Sequence, residues 1–207
     1  MPVEYDPTPD VPDRWLFGQE RLPVTSVGIL LTDSPLSPDT YFYFVEQADC
    51  EIEGKHPWGI PAGRVNQETD RSVREAIGRE LSEETGLSLP DTQLFLVCHK
   101  CGNGCPENPE SAQLVVTGSI PFNTLLESLG AYNVHEGKKI RVGWEGKYEY
   151  YQPPSIYVSR AGLNSEIGRR ALVPADRLFE RFGPISPHYR WEFMHEIKAK
   201  LEGLRVI

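Results

Sequence analysis

The chain has 207 residues, 39% hydrophobic and 25% charged, a balance expected of one soluble globular domain with some elaboration. Its formal net charge of -9 disfavours a broad surface for nucleic acid or anionic membrane, but leaves a small phosphorylated substrate open, because bound cations reverse the local field. No apolar run approaches the length of a membrane span, and residues 1–13, rich in Pro and Asp, lack the basic start and apolar stretch of a signal peptide, so a cytoplasmic location is expected.

In chain order, residues 1–22 read as an extended lead-in, with Trp15, Leu16 and Phe17 packing onto a single domain over 23–207. Val24 to Thr32 and Tyr41 to Val45 carry the β-branched and aromatic patterning of strands, and Trp58 to Pro61 is short and extended. A helical pattern runs from about Asp70 to Thr85 and is stopped by Gly86; Thr69 or Asp70 is the expected N-cap. Strands recur at 92–99, 112–120, 139–151 and 154–159, and Ala171 to Val173 is a short strand before Pro174. Two helices, about Pro174–Phe182 and Pro187–Leu204, close the chain. The pattern predicts an α+β protein, an α/β/α sandwich around a mixed sheet.

The cluster Cys98, His99, Cys101 and Cys105 has the composition of a metal site. Cys98 and His99, however, end an apolar run that reads as a strand, where neighbouring side chains face opposite ways, and a second ligand pair at zinc spacing is missing. A strand followed by a free-thiol loop is the stronger reading.

The helix from Asp70 to Thr85 carries the chemistry. Val73, Ala76 and Ile77 form one stripe, and Glu80, Glu83 and Glu84 fall where that stripe continues, before Leu87 returns to the same side. Like charges at these spacings repel, and ionised carboxylates do not enter a partly buried place without compensation. A divalent cation with a taste for hard oxygen ligands, Mg²⁺ or Mn²⁺, supplies it. The alternative from geometry alone is a solvated acidic helix face.

The run Arg79-Glu80-Leu81-Ser82-Glu83-Glu84-Thr85-Gly86-Leu87 resembles the second half of the Nudix box and fills each of its fixed positions. Pro61-Ala62-Gly63 resembles the Pro-Gly-Gly that opens it. The first half departs from the pattern. The sixth residue after Gly63 is Thr69 rather than Glu, the position counted back from Arg79 holds Arg71, and the stretch from Gly63 to Arg79 is two residues longer than the family's. Glu68, in that lengthened loop, is the candidate replacement for the missing Glu, and Arg79 is expected to pair with Glu75 at i,i+4.

The resemblance implies a Nudix-type sandwich and metal-dependent hydrolysis of a diphosphate linkage in a nucleoside diphosphate derivative. It implies Glu80, Glu83 and Glu84 as metal ligands with the backbone near Gly63, Arg79 as their orienting partner, and a further carboxylate outside the box as base. Glu166, just before the 171–173 strand, is the first candidate for that base; Glu145 and Glu149 are alternatives. Tyr148, Tyr150, Tyr151 and Tyr157 suit base stacking or ordinary strand packing, Trp58 reads as core, and His56 and His99 as structural or exposed. The rival function is a catalytically weak or inactive Nudix-like module that binds nucleotides or regulates. The apolar content of the last helix, Trp191 to Leu204, suits packing on the sheet or a partner subunit, so a homodimer stays open.

Overall fold

The computed structural model describes residues 14–17, 20–33, 40–49, 51, 58–66, 68–89, 95–101, 112–144 and 147–177. Its elements are β1 (Arg14–Phe17), β2 (Glu20–Thr32), β3 (Tyr41–Gln47), β4 (Trp58–Gly59), β5 (Ala62–Arg64), α1 (Val73–Thr85), β6 (Phe95–Cys101), β7 (Ala112–Ser119), α2 (Phe122–Ser128), β8 (Tyr132–His135), β9 (Ile140–Trp144), β10 (Lys147–Tyr151), β11 (Ile156–Ser159) and β12 (Ile167–Pro174). The main sheet runs β6-β7-β2-β3-β12-β11-β8. Its β2–β7 pair is parallel, in register from Val27↔Leu114 to Thr32↔Ser119, and the other pairs along that path are antiparallel, so the sheet is mixed as expected.

The centre of that sheet is buried on both faces, which is the condition of the middle layer of a sandwich. On β2 and β3, Val27, Ile29, Leu31, Tyr43 and Val45 point to one face and Leu30, Phe42 and Phe44 to the other, all buried. The first face meets Val73, Ala76, Ile77 and Leu81 of α1, and Leu125 of α2 with Leu129 just beyond it. The expected α/β/α architecture is borne out.

Helix α1 starts later than the pattern suggested. Ser72, not Asp70 or Thr69, is the N-cap: its Oγ accepts from Glu75 N at 3.2 Å, while the Glu75 carboxylate accepts from Arg71 N at 2.8 Å. Asp70 is drawn away by a different partner, described below. Gly86 ends the helix as predicted, with φ at 75° and its N–H donating to Ser82 O at 2.9 Å.

Several elements differ from the sequence reading. β2 begins at Glu20 and pairs with β1, so the strand runs through the boundary expected at residue 23. The stretch 139–151 is not one strand but two, β9 and β10, paired in register from Lys147↔Trp144 to Tyr151↔Ile140. The short strand at 171–173 extends over 167–174, and the helix expected from Pro174 is one 3₁₀ turn, Ala175–Arg177, within the described residues. α2 and β8 gave no usable signal: seven residues is under two full helical turns, and β8 has two exposed central residues. The closing helix at 187–204, His56, Cys50, Cys105 and Glu145 lie outside the described residues. The backbones of Cys98, His99 and Cys101 belong to β6.

Tyr157 stacks edge-on with Phe122 and Tyr132, and Tyr41 joins them; burial and the neighbouring Tyr157 push the Tyr41 hydroxyl up to about 12. Tyr157 is therefore a packing residue, whereas Tyr150 is 74% exposed.

The cap at Ser72 gives a direct test. Ser72→Ala leaves the Glu75 N–H without its partner and is expected to lower stability by about 1 kcal/mol. Urea denaturation of the variant checks it; an unchanged midpoint would show that the cap contributes nothing.

Candidate functional site

The second half of α1 faces β5 and the turn that leads into the helix. β5 pairs with β2 in register Ser26↔Arg64, Val27↔Gly63 and Gly28↔Ala62, and Ile29 N donates to Pro61 O at 2.7 Å. The Pro61–Arg64 strand is thus fixed to the centre of the sheet, with its backbone turned to the helix carboxylates.

Two of those carboxylates are buried against it. Glu80 and Glu84 are each 9% exposed, against 56% for the side chain of Glu83. Helical spacing accounts for the difference. The buried stripe runs Val73, Ala76, Ile77, Glu80, Leu81, Glu84, Thr85, and Glu83 falls at its margin. Glu84 Oε2 accepts from Ala62 N at 2.7 Å. The Glu80 carboxyl lies over Gly63 so closely that a Cβ there would stand 2.0 Å from its carboxyl carbon. A side chain at this position would push the Glu80 carboxyl out of its place, and the family-like Gly63 suits this approach. Burial raises the Glu80 pKa above the ordinary range, with Arg79 pulling against it.

Arg79 is the hub of the site, and all five of its N–H groups are used. Nε donates to Asp70 Oδ1 at 3.0 Å and one terminal nitrogen to Asp70 Oδ2 at 2.9 Å, a bidentate pair. That nitrogen also donates to Arg64 O at 2.9 Å. The other donates to Glu80 Oε1 at 2.8 Å and Glu83 Oε2 at 3.0 Å. The expected Arg79–Glu75 pair is not formed, because Glu75 closes the cap on Arg71 N.

The same contacts correct the reading of Glu68, which is exposed, with its N–H donating to Asn66 Oδ1 at 3.0 Å. Asp70 takes the carboxylate position instead. Thr69 N and Asp70 N both donate to Asn66 O, at 3.2 and 2.8 Å, and Asp70 Oδ2 accepts from Asn66 N at 2.7 Å. The two additional residues of this stretch are taken up in that turn, which brings Asp70 to Arg79 from outside the helix. The signal in the sequence was a second carboxylate, two residues beyond Glu68. Arg79 holds Asp70 below the usual carboxylate range.

Glu166 is exposed and immediately precedes β12. Its N–H donates to Asn164 Oδ1 at 2.9 Å, and Asn164 Nδ2 donates to Glu83 O at 3.1 Å, so the loop bearing Glu166 touches the last turn of α1. Sequence reasoning missed Asn164 and also a second ion pair. Glu46, buried on β3, binds Arg169 through 2.8 and 2.6 Å contacts, and that guanidinium lies 5.5 Å above the ring of half-buried Trp58. The side chain of Glu149 is not among those described.

For a divalent cation the donor set fits in kind: Glu80, Glu83 and Glu84 are hard oxygen ligands on one helix, beside a strand stripped to glycine at the point of contact. The three side chains do not meet at one point. Among the described residues no group of three or more His, Cys, Asp or Glu side chains surrounds a single cation position. Glu80 and Glu83 turn to Arg79, and Glu84 to the Ala62 amide.

The NUDIX domain model matches residues 22–117. No curated protein matches the chain. Among solved structures, Shewanella oneidensis NrtR is similar at a TM-score of 0.50 and 12% identity, over 87% of this chain and 64% of that one. Its NUDIX domain complexed with ADP ribose gives 0.47 at 12% identity, over 86% of this chain and 88% of that one. A bifunctional NMN adenylyltransferase/ADP ribose pyrophosphatase from Francisella tularensis gives 0.45 at 15% identity, over 86% of this chain and 42% of that one. At these identities the likeness is one of fold.

The Asp70–Arg79 pair is testable through pH. Because the folded-state pKa of Asp70 is lowered, its contribution is complete above the unfolded aspartate value of about 3.9 and is lost as pH falls through the lower folded value. Asp70→Asn is expected to destabilise by about 1–2 kcal/mol near neutrality, Arg79 being partly exposed. Denaturation curves for both proteins should differ by a constant amount between about pH 6 and pH 8 and converge at strongly acid pH. A difference of the same size throughout would assign the effect to something other than this ion pair.

Proposed function

For a chain that carries a NUDIX domain over residues 22–117, we propose hydrolysis of a diphosphate linkage in a nucleoside diphosphate derivative, with Mg²⁺, or Mn²⁺ in its place, held by the α1 carboxylates. The observation that carries this reading is the pair Glu80 and Glu84, two buried carboxylates pressed on the backbone of Gly63 and Ala62. Carboxylates four residues apart on a helix repel, and a divalent cation would offset that repulsion alongside Arg79.

Glu80, Glu83 and Glu84, with the backbone near Gly63, are the residues that would hold the metal. Bound there, it would neutralise the diphosphate and lower the pKa of a water molecule. Arg79 orients Glu80 and Glu83 through its paired N–H groups, and Asp70 orients Arg79. Glu166, in the loop that Asn164 ties to the same helix, takes the proton of the attacking water on a carboxylate oxygen. The water oxygen then forms a bond to phosphorus, the bridging P–O bond breaks, and the leaving phosphate carries away the electron pair.

A second reading is a nucleotide-binding or regulatory module without turnover. It is favoured by the internal engagement of all three carboxylates, Glu80 and Glu83 by Arg79 and Glu84 by the Ala62 amide.

The two readings separate in one experiment. The protein is incubated with nucleoside triphosphates, nucleotide sugars, ADP-ribose, dinucleoside polyphosphates and NADH, with and without Mg²⁺. The hydrolase reading requires metal-dependent turnover of at least one; binding without turnover of any supports the module. Glu83→Gln is expected to reduce turnover by about a hundredfold or more. Its stability should shift by no more than about 0.5 kcal/mol, because an exposed ion pair contributes little. Loss of folding in this variant would assign Glu83 a structural role instead.

A further inference from the structure

The segment between β11 and β12 is a tight loop organised by one side chain. Leu163 N and Asn164 N both donate to Ile167 O, at 2.9 and 3.1 Å. Asn164 Oδ1 accepts from Glu166 N at 2.9 Å and from Ile167 N at 2.7 Å. On the other side, the Glu166 carbonyl accepts from Ala48 N at 2.7 Å. The backbone is therefore held both before and after the Glu166 Cα, although the residue itself is exposed.

The same Asn164 amide reaches out of the loop. Its Nδ2 donates to the Glu83 carbonyl at 3.1 Å. That carbonyl is one of the last four of α1, which a helix leaves without partners of its own. One planar amide thus accepts from the loop that carries Glu166 and donates to the helix that carries Glu83. The far root of the loop is fixed separately, by Arg169 on Glu46.

We propose that Asn164 is a positioning residue, which sets Glu166 relative to the α1 carboxylates by bridging the loop and the last turn of the helix. The inference rests on the hydrolase reading, in which Glu166 takes the proton of the attacking water. The chemistry of the side chain is specific. Asparagine offers an acceptor and a donor on one short stem; aspartate keeps the acceptor and has no donor. Asn164→Asp therefore preserves the loop turn and removes the bridge, whereas Asn164→Ala removes both.

The test combines steady-state kinetics with amide hydrogen exchange, using a substrate found in the panel above. Glu166→Gln is expected to lower kcat by about a hundredfold. Asn164→Asp should lower kcat by about tenfold, leave KM within about twofold and retain protection at the Glu166 and Ile167 amides. Asn164→Ala should lose that protection as well. In the Glu166→Gln background, Asn164→Asp should cost no further activity, since a residue that acts through Glu166 has nothing left to position. Wild-type kcat in Asn164→Asp, or the same tenfold loss in both backgrounds, overturns the positioning role and leaves the hydrolase reading standing. Absence of turnover by the wild-type protein overturns both.

Discussion

The site depends on one guanidinium. Arg79 joins three pieces of chain: the turn at 66–70 through Asp70, β5 through the Arg64 carbonyl, and α1 through Glu80 and Glu83. A planar group with five donors in fixed directions can serve all of these at once; an ammonium, with three donors on a flexible stem, cannot. The orientation of Glu80 and Glu83, the position of β5 against the helix and the path of the chain into α1 are set by the same side chain. The side chain of its anchor, Asp70, is 5% exposed, so this bidentate contact is also the most protected of the three from solvent screening.

Much of this was legible in the sequence. The second half of the box marked α1, its carboxylates and its Gly86 terminus, because these features are local and periodic. The apolar runs marked β2, β3 and β7 for the same reason. What was not legible depends on contacts between distant segments. Asp70 and Thr69 both looked like caps, and only the tertiary demand of Arg79 takes Asp70 away and leaves Ser72 to start the helix. Glu75 looked like the partner of Arg79 by spacing, but the N-terminal amide of Arg71 lies closer to hand. Asn164 had no local mark at all. Its role comes from a carbonyl that is 81 residues away in the chain.

The sheet explains how such distant segments meet. β12 pairs with β3 from Pro174↔Tyr41 to Ile167↔Gln47, and that pairing carries the Glu166 loop to the end of β3 where Ala48 holds it. β2 holds β5 on one side and runs parallel to β7 on the other. The stretch matched by the NUDIX domain model ends within β7, so the Glu166 loop is contributed by the part of the chain beyond it. The strand order, rather than any motif, brings that part to the box.

Charge balance gives the arrangement its direction. Asp70, Glu80 and Glu83 crowd around a single guanidinium, and Glu84 accepts from a backbone amide beside them. Burial raises the Glu80 pKa by disfavouring its charged form, and Arg79 pulls against it. A group in that condition is stabilised by protonation or by a bound cation, and the two compete. A divalent cation can serve several carboxylates at once. The Gly63 backbone lies where a side chain would otherwise displace Glu80, so the crowding is built into the strand as well as the helix. Excess negative charge on a fixed scaffold is thus what the proposed cation would offset at α1.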